Sequence, residues 1–398
     1  MKLCLQDPQY IESKLLHEEL LEKISVSQDG IGIYAFASAD GIELLLFDKI
    51  FSTFISENKY KLIIGMDAIT NVKSLNKLME AKDLYGDNLQ VYAFLHNTKN
   101  STFHPKYSLF KYKDSGTLII GSGNLTQNGL RRNREAFAVV DLNSNDLCTI
   151  QDEIERWLTA NSQNLKQIDD VLVVQKAQEN QRIRIEQRKI SRQVNIYEGN
   201  EIDENIEERV VESKNTQNKI ELYTRGEDTS CFIHNVTSIL IAEIPKSGNR
   251  WKQANFDRNT FECYFGATCG VNGIYRIILR NVNHNGILGN IESRPGVSVS
   301  SRNYRFELEA ASGLQYPTNG NPIAIFAKVA TRTFIYELYM PNDSYYNNIM
   351  NILDTTQAKI SGRKRRFIYS SDNLINMLPD LKIWQKIGEN GIDDNIEY

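Results

Sequence analysis

The strongest constraint on the fold is an alternation of short apolar runs with amphipathic stretches in the first 95 residues. Apolar runs at 32–37, 61–66 and 89–95 have the length and composition of buried strands. The stretches at 44–55 and 72–85 between them have helical spacing. Strands that alternate with helices pair in parallel, so this part of the chain predicts an α/β layer.

The pattern changes after this alternation. Runs at 103–112, 116–121 and 134–142 are separated only by polar turns, which predicts consecutive strands that extend the sheet. A helix is predicted at 146–159. We therefore assign residues 1–175 to one α/β domain.

Residues 176–218 join a basic block to an acidic block and contain few large apolar residues. Opposite charge blocks of this kind are typical of a solvated linker or an exposed helix, and an oligomerisation or partner surface is the alternative. The domain boundary is predicted to lie in this charged segment.

Residues 219–398 form a second predicted domain, rich in strands. Turn signals such as Asn272-Gly273 and Pro295-Gly296 separate short apolar or alternating runs, which is typical of a small barrel or sandwich. Residues 219–386 contain 20 Lys and Arg against 14 Asp and Glu, a local balance of +6 in a chain whose net charge is −4. A locally basic module is compatible with nucleic-acid binding.

Composition excludes other classes of protein. With 41% hydrophobic and 24% charged residues in 398, the chain has enough apolar material for sizeable cores. No apolar run approaches the roughly 18 residues that a membrane helix needs, and polar residues in the first ten argue against a secretory signal. Five scattered cysteines without a C-x-x-C pair argue against a disulfide framework and a zinc knuckle, and favour a cytoplasmic location.

The residues with the clearest chemistry lie on the three consecutive strands. His104 and Lys106 are two positions apart, so on one strand both would point to the same face. An imidazole beside a cation suits attack on a phosphodiester. Ser122 and Asn124 can hold phosphoryl oxygens, and Glu135 can orient an imidazole or be an ordinary surface glutamate.

This set resembles the phospholipase D superfamily, whose motif is His-x-Lys, then Gly-Ser-x-Asn, then an acidic or amide residue. The resemblance implies a phospholipase D-like domain with catalytic roles for His104, Lys106, Ser122, Asn124 and Glu135, and no metal or other cofactor. The Asp that often lies five residues after the motif lysine is replaced by Lys111, which suits the nuclease branch. Because the chain has one motif, the resemblance also implies a homodimer with a shared site. Arg131, Arg132 and Arg134 either grip flanking phosphates or form a solvated basic turn.

The two-domain arrangement resembles restriction endonucleases of the NgoFVII and BfiI kind. This implies a C-terminal pseudobarrel of the plant B-three type that reads double-stranded DNA with two arms. Arg and Asn are the residue types that contact base edges. The predicted DNA-binding residues are Lys246, Arg250, Trp251, Lys252, Asn255, Arg302, Asn303 and Arg305. A basic run at 362–367 is interpreted as a solvated face, with DNA contact as the alternative.

The leading hypothesis is a sequence-specific, metal-independent DNA endonuclease of a restriction system. The resemblance implies a cognate methyltransferase and, in some relatives, an ATP-driven helicase as partners. This chain has no phosphate-binding loop of the P-loop kind, so any use of ATP would belong to a partner. Two alternatives stay open. One is a DNA-binding regulator with an inert phospholipase D-like domain, and the other is a phospholipid phosphodiesterase.

Overall fold

The computed structural model describes residues 1–67, 69–98, 100–201, 238–246, 251–267, 275–295, 304–356 and 364–387. The N-terminal half is built on an eight-stranded sheet with the order β1-β7-β6-β5-β2-β3-β4-β8. Its strands are β1 (Lys2–Gln6), β2 (Asp29–Tyr34), β3 (Lys59–Gly65), β4 (Leu89–Phe94), β5 (Lys106–Lys111), β6 (Gly116–Gly121), β7 (Glu135–Leu142) and β8 (Leu165–Gln167). Its helices are α1 (Leu16–Ile24), α2 (Ala39–Leu46), α3 (Lys49–Ile55), α4 (Val72–Tyr85), α5 (Ser144–Ala160) and α6 (Val171–Glu201).

The predicted α/β layer is confirmed. Strands β2, β3 and β4 are parallel neighbours, and helices connect them because parallel strands need a crossover. Strands β5, β6 and β7 follow as antiparallel neighbours, and β5 joins the parallel part by pairing with β2. Apolar clusters lie on both faces of the sheet.

Three features of this half differ from the predictions. The helix expected at 44–55 is two helices, because the Asp48 side chain accepts a hydrogen bond from the backbone N–H of Ile50 (2.7 Å) and starts α3 anew. Strands β1 and β8 were not predicted. The expected boundary at 175 lies inside α6, which still contacts the N-terminal half at Asn180, where the side-chain amide donates to the carbonyl of Met66 (2.8 Å).

The C-terminal half contains a six-stranded mixed sheet and a two-stranded ribbon. The sheet order is β12-β11-β15-β14-β9-β16 and the ribbon is β10-β13. These strands are β9 (Ser238–Glu243), β10 (Gln253–Phe256), β11 (Arg276–Asn281), β12 (Glu292–Pro295), β13 (Tyr304–Glu307), β14 (Ile323–Ala330), β15 (Thr333–Tyr339) and β16 (Arg366–Ser370). The helices are α7 (Tyr346–Thr356), α8 (Ser371–Met377) and α9 (Ile383–Ile387).

Both faces of the C-terminal sheet are covered, which explains why its central strands are almost continuously apolar. One face packs against the ribbon through aromatic residues such as Phe256, Phe306 and Phe326. The other face packs against α7, α8 and α9 through residues such as Ile325, Ile349 and Leu374. The closed pseudobarrel remains a prediction.

The two halves meet at a buried, charged interface. The turn between β14 and β15 contains Arg332, whose φ of 51° is in the left-handed region. The Arg332 guanidinium donates to both carboxylate oxygens of Glu18 (2.8 and 2.6 Å). Two further ion pairs cross the interface, Arg276 with Asp48 (2.7 Å) and Arg280 with Asp40 (2.9 Å). The basic excess of the C-terminal half is therefore partly used to bind the N-terminal half.

Within the described ranges, no helix combines the length and apolarity required to cross a membrane. Cys4 and Cys148 carry free thiols, whereas Cys263 takes part in a disulfide bond, which the scattered spacing of the cysteines did not predict.

Candidate active site

Strand direction brings the motif residues to one edge of the N-terminal sheet. Since β5, β6 and β7 run antiparallel, the start of β5, the end of β6 and the start of β7 are neighbours. Lys106 is the first residue of β5, Ser122 directly follows β6, and Glu135 is the first residue of β7. Residues separated by up to 31 positions, from His104 to Glu135, thus reach one site.

His104 and Lys106 are in contact. The strand predicted to carry both begins at Lys106, and His104 lies just before it. The Nζ of Lys106 still lies 3.0 Å from Nδ1 of His104 and donates to the backbone carbonyl of His104 (3.0 Å). The imidazole is exposed while the lysine is buried. This arrangement leaves the histidine ring accessible to a substrate, with a cation at its side.

Burial lowers the pKa of the Lys106 ammonium below its ordinary value, and the carboxylate of Glu135 acts in the opposite direction. An ammonium group that is partly desolvated interacts more strongly with a phosphoryl oxygen than one in water does. Lys106 is therefore suited to stabilise negative charge on a phosphate bound at this edge.

Ser122 and Glu135 are joined by a short hydrogen bond from the serine hydroxyl to the carboxylate. The other carboxylate oxygen of Glu135 accepts from the Asn133 amide (3.0 Å). The Ser122 hydroxyl also accepts from the backbone N–H of Ala136 (3.1 Å). Glu135 thus contacts the serine loop, and its predicted contact with an imidazole remains a prediction.

Asn124 lies behind the histidine. Its Oδ1 accepts from the backbone N–H of Phe36 (3.2 Å), and the Phe36 ring stands edge-on to the His104 ring with centroids 6.0 Å apart. The loop after β2 therefore links Asn124 to His104. The five residues predicted as catalytic therefore all lie along this edge. His104 contacts Lys106, Ser122 contacts Glu135, and Asn124 is linked to His104 through Phe36.

Sequence reasoning missed Asp67 and His96. Each follows a parallel strand, β3 or β4, at the same edge of the sheet. Asp67 accepts from the backbone N–H of Phe103 (2.7 Å), the residue before His104, and its carboxylate lies 3.5 Å from Nε2 of His96. Their position directly after predicted strands is the signal that could have identified them.

An open groove of about 540 Å³ begins at His104 and runs between β4, β5 and α5. Phe94, Phe103 and Trp157 form a stack along it, with centroids of the first two 4.2 Å apart. The described lining contains one carboxylate, Glu153, and neither Lys nor Arg. A phosphate is thus favoured at Lys106, and the groove is suited to an uncharged part of a substrate.

The arginines after the motif differ in their surroundings. Arg131 is completely buried, with an exposure of 0%. It therefore neither grips a flanking phosphate nor belongs to a solvated basic turn. Arg134 is exposed and donates to the side chain of Gln9 (3.0 Å).

Across the described ranges, no group of three or more His, Cys, Asp or Glu side chains has a metal-binding arrangement.

The ribbon brings two of the predicted DNA-binding residues together. Asn255 on β10 is directly opposite Arg305 on β13, so both side chains are on one face of the ribbon. The alternate residues, such as Phe256 and Phe306, are buried in the core. The ribbon therefore has an apolar inner face and a polar outer face.

The other predicted DNA-binding residues are more dispersed. Lys246 and Lys252 are exposed, and Nζ of Lys252 lies 3.9 Å from Glu307 of the ribbon. Trp251 is 6% exposed and its indole N–H donates to the carbonyl of Leu314 (2.9 Å), which places it in the core. The remaining predictions, Arg250, Arg302 and Asn303, lie outside the described residues.

Comparison with known proteins agrees with this geometry. Residues 21–161 match the family model described as cardiolipin synthase, PLD-like domain. This part of the chain is therefore a PLD-like domain, a class with a phosphodiesterase fold. No curated protein matches the chain.

Solved structures give weaker similarity. NucT from Helicobacter pylori is 16% identical, covers 41% of this chain and 96% of its own, and superposes with a TM-score of 0.30. Nuc from Salmonella typhimurium, a phospholipase D family member, is 16% identical with coverage of 42% and 96% and the same TM-score of 0.30. Phosphatidylserine synthase from Haemophilus influenzae is 12% identical with coverage of 42% and 39% and a TM-score of 0.30.

Proposed function

We propose that the protein is a cytoplasmic, sequence-specific, metal-independent double-stranded DNA endonuclease of a restriction system. The observation that carries the proposal is the contact of an exposed His104 with a buried Lys106 at the edge of a PLD-like domain, beside the Ser122–Glu135 pair. A second half with a polar-faced ribbon supports DNA as the substrate, because ribbons of this shape fit the major groove. A cognate methyltransferase and an ATP-driven helicase are the proposed partners.

The proposed reaction uses one His104 from each of two protomers. One imidazole attacks phosphorus, and the bond from phosphorus to the leaving sugar oxygen breaks while the partner's His104 gives that oxygen a proton. Water then attacks the phosphohistidine, losing its proton to the partner's imidazole, and the first histidine is released. Lys106 and Asn124 stabilise the phosphoryl oxygens during both steps, and Ser122, whose hydroxyl donates to Glu135, holds the loop that carries Asn124.

An exposed apolar strip supports a dimer. Leu3 and Leu5 on β1 are 68% and 67% exposed, and Ile120 on β6 is 46% exposed. Strand pairing aligns Leu3 with Ala138 and Ala138 with Ile120, so these side chains share one face. The strip ends beside Ser122, and a second copy that covered it would bring the two half-sites together.

The test is incubation of the full chain with plasmid DNA in EDTA without ATP. We expect discrete fragments from the wild type, no fragments from His104→Ala, and normal cleavage by His284→Ala, which removes an exposed histidine in the other half. DNA binding without cleavage, with or without ATP and a helicase partner, would support the inert regulator. Hydrolysis of phospholipid vesicles but not DNA would support the lipid phosphodiesterase.

A further inference from the structure

We infer that Arg131 is a positioning residue that holds the Ser122–Asn124 loop in place by attaching it to the C-terminal sheet. The inference rests on the proposed function, because it concerns the same site. It explains why a fully buried arginine follows the motif by only a few residues.

The backbone of Asn124 is in close contact with the turn that follows it. Residues Asn128–Arg132 form a short π-helical turn, in which Gly129 packs on the backbone of Asn124. A Cβ atom added at Gly129 would lie 2.6 Å from both the nitrogen and the oxygen of Asn124. The turn therefore cannot shift without moving Asn124, and the glycine is required by this close approach.

Arg131, in the same turn, is bound by residues of the C-terminal half. Its guanidinium donates to the hydroxyl of Thr333 (3.2 Å) and to the carbonyls of Arg276 (2.9 Å) and Arg332 (3.2 Å). All three belong to β11, β15 or the turn before β15. The π-helical turn is thus fixed to the C-terminal half at a position only two residues after Gly129.

The remaining donor of the Arg131 guanidinium, Nη1, is directed to the N-terminal half. Nη1 of Arg131 lies 2.8 Å from Nδ1 of His17, and Nε2 of His17 lies 2.9 Å from the carbonyl of Leu44. Burial and the charge of Arg131 lower the pKa of His17 to about 4. A neutral His17 therefore donates to Leu44 and accepts from Arg131, and the Glu18 carboxylate, shared with Arg332, lies 3.6 Å from the Arg131 guanidinium.

This geometry depends on the planar fork of arginine. Lysine has the charge but cannot direct several donors to fixed acceptors on two sides at once. Arg131→Lys is therefore expected to behave more like a loss of the residue than a conservative change. The expected effect is on the rate of the chemical step, since a displacement of about 1 Å in a site can cost about 100-fold.

The experiment compares Arg131→Lys and Arg131→Met with Asp40→Asn in the full chain. Asp40→Asn weakens the Arg280 pair across the same interface (2.9 Å), and this pair shares no residue with the contacts of Arg131. We expect both Arg131 variants to lose about 10- to 100-fold in single-turnover cleavage with unchanged DNA affinity. Asp40→Asn should lower the melting temperature and leave the cleavage rate unchanged. Equal losses in the Asp40 and Arg131 variants would overturn the inference, as would full activity in a folded Arg131→Met protein.

A double-mutant cycle separates positioning from general stability. If Arg131 acts through Asn124, Arg131→Met should cause no further loss in an Asn124→Ala background, whereas additive losses would contradict the inference. Should Arg131→Met fail to fold, Thr333→Val removes only one of its partners and is expected to reduce cleavage less, with the same unchanged affinity. An unchanged rate in that variant would count against the inference.

Hydrogen exchange keeps this test independent of the proposed function. We expect faster exchange of the amides of residues 121–133 in Arg131→Met and normal exchange there in Asp40→Asn. If the wild type cuts no DNA, the proposed function fails and exchange alone decides the inference. Unchanged exchange at 121–133 in Arg131→Met would then overturn it.

Discussion

At the scale of single residues, the site combines an exposed histidine with a buried lysine. Lys106 is held by the carbonyl and ring of His104 and influenced by Glu135. Glu135 has two functions in this arrangement, because it anchors the Ser122 hydroxyl and raises the pKa of a lysine that burial otherwise lowers. The pKa of Lys106, and with it the charge of the lysine, therefore depends on the carboxylate of Glu135.

Glu135→Gln is expected to shift the pH dependence of cleavage. Without the carboxylate, the pKa of Lys106 falls further, so the lysine loses its proton at lower pH. If charged Lys106 is needed, the alkaline limb of the kcat/KM profile moves to lower pH, and the rate at its optimum falls by up to about 100-fold as Ser122 is released. The profile is measured beside Asp141→Asn, which changes an exposed carboxylate on the same strand. An alkaline limb that stays in place or moves to higher pH would refute the prediction.

The residues that sequence reasoning identified here share a local signal, since spacing and strand order bring His104, Lys106, Ser122 and Glu135 together. The burial of Arg131 has no such signal. A charged residue in a basic run is normally solvated, and its partners Thr333, Arg276 and Arg332 are known only once the two halves are docked.

At the scale of elements, most strands were predictable because their apolar residues face the core. Strand β1 shows why one was not. Cys4 and Gln6 are buried while Leu3 and Leu5 are exposed, so its hydrophobic pattern points to solvent. The break at Asp48 was missed because apolar residues continue on both sides of it, although its cap is local: the Asp48 carboxylate accepts from the backbone N–H of Ile50. Element type followed from periodicity, whereas the limits of an element depend on capping and packing.

The β10–β13 ribbon offers a test of DNA recognition. Arg305→Ala should weaken binding to the target sequence by about 1–3 kcal/mol and relax specificity, because an arginine at a base edge carries sequence information. Arg258→Ala removes an exposed arginine that is paired with Glu262 (2.9 Å) outside the ribbon, and should have little effect on specificity. Affinities for target and random duplexes are compared at fixed salt. A uniform loss on both duplexes in Arg305→Ala would indicate a phosphate contact instead.

At the scale of the whole molecule, the two halves form one charged interface, and the N-terminal half leaves an apolar strip uncovered. The strip and the candidate site are adjacent, so dimerisation and activity should depend on the same surface. The fold of the first half was predictable from periodicity. The docking of the second half was not, because its ion pairs join residues more than 200 positions apart.

Leu5→Glu is expected to convert the proposed dimer to a monomer and abolish cleavage, because a charge at the centre of an apolar contact costs more than the contact contributes. Sedimentation velocity gives the oligomeric state, and DNA cleavage is measured on the same samples. Leu84→Glu changes a similarly exposed leucine (61%) on α4, away from the strip, and should leave both unchanged. A Leu5→Glu protein that remains dimeric would place the dimer contact elsewhere.

The distant partners of Arg131 also have a consequence for how the protein is made. Three acceptors of its guanidinium lie 145, 201 and 202 positions further along the chain. During synthesis, the motif loop leaves the ribosome long before Thr333 does, so Arg131 at first has only its N-terminal partners, His17 and Glu18. Because domains tend to fold as they emerge, the nascent N-terminal half completes its sheet first and its motif loop last. If the proposed nuclease assembles in this order, we expect it to become active only when nearly the whole polypeptide has been translated.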